Sequence, residues 1–265
     1  CHFPAIFNFG ASNSDTGGYA AAFIQLQSPN GDTFFGMPAG RFCDGRLIVD
    51  FTGGIYASLI PREETFSKAL YTFDIGQNDL TQSLFLNMTI VQVIACIPDI
   101  VNHFSDIIKN LYNLGARSFW VYNTRPLGCF PKILTSFPLA EKDSVGCAKP
   151  YNLIEFPLAT IVYVDLYSAL YSLYTHPTKN GFEHPLVACC GYGGKYNYSE
   201  EAICGGKISF NGKNITVGSC KDPSVRVSWD GVHFTEAANK FSFDLVSSGD
   251  FSDPPIPLKL ACHPR

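Results

Sequence analysis

Short apolar runs alternate along the chain with polar, glycine-rich breaks, and one longer stretch carries a helical period. Residues 5–9 are mostly apolar and give way at Gly10 to Ala11-Ser12-Asn13-Ser14-Asp15-Thr16-Gly17-Gly18. Residues 69–75 end in the same manner at Gly76-Gln77-Asn78-Asp79. Both read as strands that deliver polar loops at their carboxyl ends, and residues 117–122 and 159–165 read as two more. From Thr89, a good N-cap, apolar residues recur at Ile90, Val91, Ile94, Ile97, Val101, Phe104, Ile108 and Leu111. That spacing predicts a helix stopped by Gly115, with Pro98 a site for a kink. A final helix is expected from the cap Thr235 to about Leu245, followed by an extended tail from Asp253 to Arg265.

Strands alternating with helices are the pattern of a parallel sheet covered by helices. The whole of residues 1–265 is expected to form one domain, with a Gly-, Cys- and Asn-rich excursion at about 182–220 pinned by disulfides. Parallel strands need crossovers of about a dozen residues or more, usually helical. Two crossovers look short of helix. The stretch between Tyr122 and Ala159 contains Pro126, Pro131, Pro138, Pro150 and Pro157, and the stretch between Asp50 and Leu70 has room for one modest helix.

Composition narrows the functional classes. Hydrophobic residues make up 46% and charged residues 16%, enough for a packed core and too little charge for a disordered chain. A net charge of −4 with no basic run argues against a nucleic-acid or anionic-membrane partner. The uncharged run from Leu80 to Pro98 is long enough for a membrane span, but Thr81, Gln82, Ser83, Asn87, Thr89 and Gln92 interrupt it, so no transmembrane segment is expected. Ten cysteines are too many for a reduced cytosolic protein, and the absence of C-x-x-C removes zinc-ribbon and thioredoxin readings. Pairings of Cys129 with Cys147 and of Cys204 with Cys220 would each close a short loop, while Cys189 and Cys190 should seek different partners. Sequons at Asn87, Asn197 and Asn214 add N-linked glycans to a secretory picture, and a chain opening at Cys1 reads as a mature form.

Three polar elements carry candidate chemistry. Ser12 follows a strand in a glycine-flanked loop, where its hydroxyl can project from the carboxyl edge of a sheet. Asn78 can donate a side-chain amide proton to a developing oxyanion. Asp230 and His233 are spaced by three, which lets both lie on one face of a helical turn so that the carboxylate orients the imidazole. In isolation each is a common turn element; their order along the chain gives them meaning.

The segment from Phe7 to Gly18 resembles the first signature block of the GDSL family of esterases and lipases, Gly76-Gln77-Asn78-Asp79 its G-x-N-D block, and Trp229-Asp230-Gly231-Val232-His233 its D-x-x-H block. Further matches to the plant branch are Arg41-Phe42-Cys43-Asp44-Gly45-Arg46, Leu114-Gly115-Ala116-Arg117, Pro126-Leu127-Gly128-Cys129 and Cys189-Cys190-Gly191-Tyr192-Gly193-Gly194. The likeness runs from end to end and is closest to the early-nodulin and latex-allergen-like group of secreted plant glycoproteins. It implies a flavodoxin-like three-layer α/β/α sandwich with a mainly parallel sheet (SGNH-hydrolase-like). It also implies Ser12 as nucleophile, His233 as base, Asp230 as orienting acid, and Asn78 with the Ser12 amide as the oxyanion hole.

The expected activity is carboxylic-ester hydrolysis on a small-molecule ester or an acylated carbohydrate, with no metal or organic cofactor, in the apoplast, cell wall or another secretory compartment. Two departures temper it. Ala11 stands where the family has Asp, and the G-x-N-F-A-like block that supplies an oxyanion glycine is absent, with only Gly53-Gly54 in its interval. The family's long helix after residues 148–152 is missing too, in step with the two short crossovers. These departures raise an alternative: a catalytically weakened homologue serving as a carbohydrate-binding, storage or defence glycoprotein.

Overall fold

A computed structural model describes residues 3–53, 63–152 and 162–261. Its centre is a sheet of five strands: β1 (Ile6–Gly10), β2 (Leu70–Asp74), β3 (Ser118–Tyr122), β4 (Val162–Val164) and β7 (Ser252–Asp253). The first four run parallel in that order, and β7 joins the edge of β4 antiparallel. A separate hairpin pairs β5 (Lys207–Phe210) with β6 (Lys213–Thr216). The architecture is the expected mainly parallel sheet sandwiched between helices.

Alternation along the inner strands builds two cores. Leu70 on β2 and Trp120 and Tyr122 on β3 face one side, where the Leu166–Thr175 and Glu236–Ser247 helices contribute Leu170, Leu173, Ala238 and Val246. Tyr71 and Phe73, with Phe119 and Val121, face the other and meet Phe104. Both strands are buried along their whole length, which is why they read as mostly apolar runs without alternation. Aromatic rings fill the second core: Phe9 stacks on Phe73 at 4.9 Å, and Phe104 meets Phe73 edge-on at 5.3 Å.

The expected long helix spans Ile90–Asn113 and runs on through Pro98. Thr89 closes a capping box, its hydroxyl accepting from the Gln92 amide and its own amide donating to Gln92 Oε1 at 2.8 Å. This helix has the length and apolar composition of a membrane span, and it lays Val93, Ile97 and Phe104 into the cores. The run from Leu80 to Pro98 is not one element: it straddles this helix and the preceding Gln77–Phe85 helix.

Several local expectations change. Gly76 to Asp79 is no loop; Gly76, at φ 97°, opens the Gln77–Phe85 helix. The Leu166–Thr175 helix, capped by Asp165 on the Ser168 amide, was not foreseen, because its tyrosines and serines blur the period. The expected extended tail is so only in part: Asp253 pairs in β7, and Leu258–Leu260 turn into a 3-10 segment. Of the expected fourth strand, residues 159–161 lie outside the described residues, as do Gly54 and tail residues 262–265.

The 182–220 excursion carries cross-links Cys189–Cys220 and Cys190–Cys204, and Cys129–Cys147 pairs as expected. Cys204 therefore does not pair with Cys220. Cys189 and Cys190 are consecutive, with Cys190 bridged to Ser219, and each takes a different partner. Of the sequon residues, Asn87 and Asn214 are exposed, whereas Asn197 is half-buried and its Nδ2 donates to the Ala188 carbonyl at 2.9 Å.

Candidate active site

The register of β1 on β2 sets Gly10 opposite Asp74, so the loops that follow leave the sheet side by side. Gly10 must be glycine: a Cβ there would lie 2.8 Å from the Asp74 carbonyl. The chain then turns through a short 3-10 segment, Ser12–Ser14, whose first amides have no partner within the turn. Ser12 heads that segment, and Asn78 lies in the first turn of the neighbouring helix.

Asp230 and His233 arrive from the far end of the chain, in the loop closed by the Ser228–Phe234 bridge just before the Glu236–Ser247 helix. Their spacing is not helical, contrary to the sequence reading. Gly231 at φ 98° folds the chain into a tight turn against Tyr198, where a Cβ would meet the ring at 2.3 Å. Asp230 Oδ1 accepts from the amides of Val232 at 3.0 Å and His233 at 2.9 Å, and Trp229 Nε1 donates to Asn30 Oδ1 at 2.9 Å. The turn, more than the spacing, aims the carboxylate at the ring.

The structure brings Ser12, His233 and Asp230 together in one hydrogen-bonded chain. Asp230 Oδ2 lies 2.6 Å from His233 Nδ1, and His233 Nε2 lies 2.7 Å from Ser12 Oγ. A carboxylate only accepts, so Nδ1 carries the proton and Nε2 is left to accept from the serine. Burial works against the charge of Asp230, but the imidazole and the two turn amides outweigh it and hold the carboxyl below its usual range.

A cleft of about 1220 Å³ opens over these atoms, lined by Ser12, Asn78 and His233 and by the apolar Phe23, Ile203 and Val232. Asn78 is exposed on the cleft wall and free to point its amide inward. Among the described residues no group of three His, Cys, Asp or Glu side chains is placed to hold a metal ion.

Sequence reasoning missed two features. Phe42 stacks on the His233 ring at 4.9 Å with 22° between planes, held by its neighbour Arg41, which forms a buried bidentate pair with Asp50. Beneath the Ser12 turn, Asp74 and Arg125 form a second buried bidentate pair at 2.5 and 2.6 Å. The available signal was charge at the carboxyl ends of two buried strands, a place where an unpaired charge is not tolerated.

Comparison with known proteins finds relatives along nearly the whole chain. The family model described as GDSL-like lipase/acylhydrolase matches residues 52–246. An esterase of Hevea brasiliensis is 47% identical over 99% of this chain and 90% of its own length. The GDSL esterase/lipase ENOD8 of Medicago truncatula is 45% identical over 99% of the chain and 91% of its length, and alpha-L-fucosidase 3 of Arabidopsis thaliana is 40% identical over 94% and 91%. The Hevea alignment runs over 352 positions, more than the 265 residues of this chain, so the relative carries extra residues inside the shared span. That surplus is in keeping with the two short crossovers. With a serine beyond β1, an asparagine at the next helix and an Asp-x-x-His turn meeting at one sheet edge, and with relatives aligned along nearly its whole length, the chain belongs to the GDSL-like lipase/acylhydrolase family.

Proposed function

We propose that the protein is a secreted carboxylic-ester hydrolase that acts by acyl transfer to Ser12 and then to water. The observation that carries this reading is the unbroken chain from Asp230 through His233 to Ser12, already at hydrogen-bond distance. His233 Nε2 takes the hydroxyl proton as Ser12 Oγ attacks the ester carbonyl. The resulting oxyanion accepts hydrogen bonds from the Asn78 side-chain amide and the Ser12 backbone amide. Collapse breaks the ester C–O bond, and the imidazolium returns its proton to the leaving alcohol. Water then repeats the sequence on the acyl-enzyme and regenerates the serine.

The cleft supports an ester or acylated-carbohydrate substrate of low molecular weight, its apolar wall suited to the acyl part. Secretion is supported by three disulfides among the described residues and by the exposed sequons Asn87 and Asn214. The absent glycine block favours modest turnover, since one missing oxyanion donor costs about 10²–10³ in rate. A non-catalytic, carbohydrate-binding role is the competing reading.

The deciding experiment combines Ser12→Ala with labelling by an active-site phosphonate. Wild type should hydrolyse a short acyl ester and label at Ser12, while the alanine variant should melt like wild type and do neither. Turnover persisting in the variant refutes the triad, and an unlabelled, inactive wild type that binds glycans moves the protein to the competing reading.

A further inference from the structure

We propose that the buried Asp74–Arg125 pair is a positioning hub that fixes the three catalytic stretches relative to one another. The inference rests on the hydrolase reading and names residues that reading does not use. Asp74 ends β2, and Arg125 lies three residues past the end of β3. Their side chains are 5% and 1% exposed.

Each stretch of the site is tied to this pair. Asp74 Oδ2 accepts from Ser14 Oγ at 2.8 Å and the Asp74 carbonyl accepts from the Ala11 amide at 3.2 Å, so one residue grips both flanks of Ser12. The Arg125 amide donates to Gln77 Oε1 at 3.3 Å, next to Asn78. The Arg125 guanidinium faces the ring of Phe234 at 5.9 Å, next to His233. Positions 12, 78 and 233 are distant in sequence and share no strand, yet all three stretches meet the two residues of one ion pair: Ser14 at the Asp74 carboxylate, Gln77 at the Arg125 backbone amide and Phe234 across from the guanidinium.

A buried pair is no efficient way to gain stability alone, because well-packed apolar residues of similar volume often do as well. A guanidinium–carboxylate fork supplies direction instead: two parallel hydrogen bonds set distance and angle together. Its loss should therefore appear as misplacement of reacting groups, in kcat rather than KM.

The test uses the full chain and three variants: Ser14→Ala, Arg125→Lys, and the double replacement Asp74→Leu with Arg125→Met. Thermal melts, kcat and KM on a short acyl ester and the rate of phosphonate labelling are measured for each. The double variant should melt near wild type yet lose about 10²-fold in kcat with KM held and labelling slowed in proportion. Ser14→Ala should lose kcat without a change in melting, and Arg125→Lys, which keeps the charge but not the fork, should fall between. A folded double variant with wild-type kcat overturns the proposal. If the double variant does not fold, Ser14→Ala decides: unchanged kcat and labelling overturn the hub, and reduced kcat at wild-type melting supports it. Wild-type turnover and Ser12 labelling are read first, so failure of the hydrolase reading is seen separately from failure of the hub.

Discussion

Replacing Asp230 by Asn tests the site at its most constrained atom. Oδ1 of Asp230 accepts from the amides of Val232 and His233, and that position must stay an acceptor for the turn to survive. Asparagine can meet the demand only by placing its oxygen there, which puts its NH₂ where Oδ2 now faces His233 Nδ1 at 2.6 Å. A donor opposite Nδ1 drives the ring to the other tautomer, with the proton on Nε2. The nitrogen 2.7 Å from Ser12 Oγ then has no lone pair to take the serine proton. The same exchange in a serine-protease triad costs about 10⁴ in kcat, a barrier increase of about 5 kcal/mol. Steady-state kinetics on a chromogenic acyl ester measure the loss, and ¹⁵N chemical shifts of the imidazole report the tautomer. An Asn variant within about tenfold of wild type would refute the reasoning.

The same carboxyl sets a stability signature, and three further changes probe its surroundings. Asp230 titrates below its usual range, so its contribution to stability is present above the unfolded value of about 3.9 and is lost as pH falls through the lower folded value. The melting difference between wild type and Asp230→Asn should hold at neutral pH and close only in acid. Asn78→Ala should lower kcat by about 10²–10³ with little change in KM; an unchanged kcat would remove Asn78 from the oxyanion hole. Phe42→Leu removes a stacking contact on the His233 ring worth about 0.5–1 kcal/mol and should lower kcat by about two- to fivefold at unchanged melting; an unchanged kcat would take Phe42 out of the positioning of the base. Peptide mapping after glycan release should find carbohydrate at Asn87 and Asn214 and little at Asn197, whose amide nitrogen is already engaged with a backbone carbonyl. Full occupancy at Asn197 would contradict that contact.

Much of this architecture is legible in the sequence because the inner strands are buried on both faces. Residues 70–74 and 118–122 therefore stand out as mostly apolar runs, and Thr89 announces its helix through a local capping box. Ser12, Asn78, Asp230 and His233 are legible as a set through their order, although none is informative by itself. What escaped is what only tertiary contact specifies. Asp74 and Arg125 are 51 positions apart, and nothing local joins them. Two-residue β7 is defined by its partner β4, and loop length alone mis-paired Cys204 because it ignored the competing partners Cys189 and Cys190. Phe42 was visible as part of a motif, but its place over the imidazole follows from the Arg41–Asp50 pair.

The cross-linked excursion has a bearing on where the protein can work. The amides of Cys189 and Cys190 donate to the carbonyls of Ser228 at 2.9 Å and Trp229 at 2.6 Å, and both cysteines pack on Trp229, the residue before Asp230. Two sulfur–sulfur bonds therefore stand directly behind the turn that aims the acid and the base. A thiol-rich environment would loosen that backing first, while the sheet, whose strands hold none of the cysteines bonded among the described residues, keeps its form. Molecules held back among cytosolic reductants would retain their scaffold and lose their chemistry.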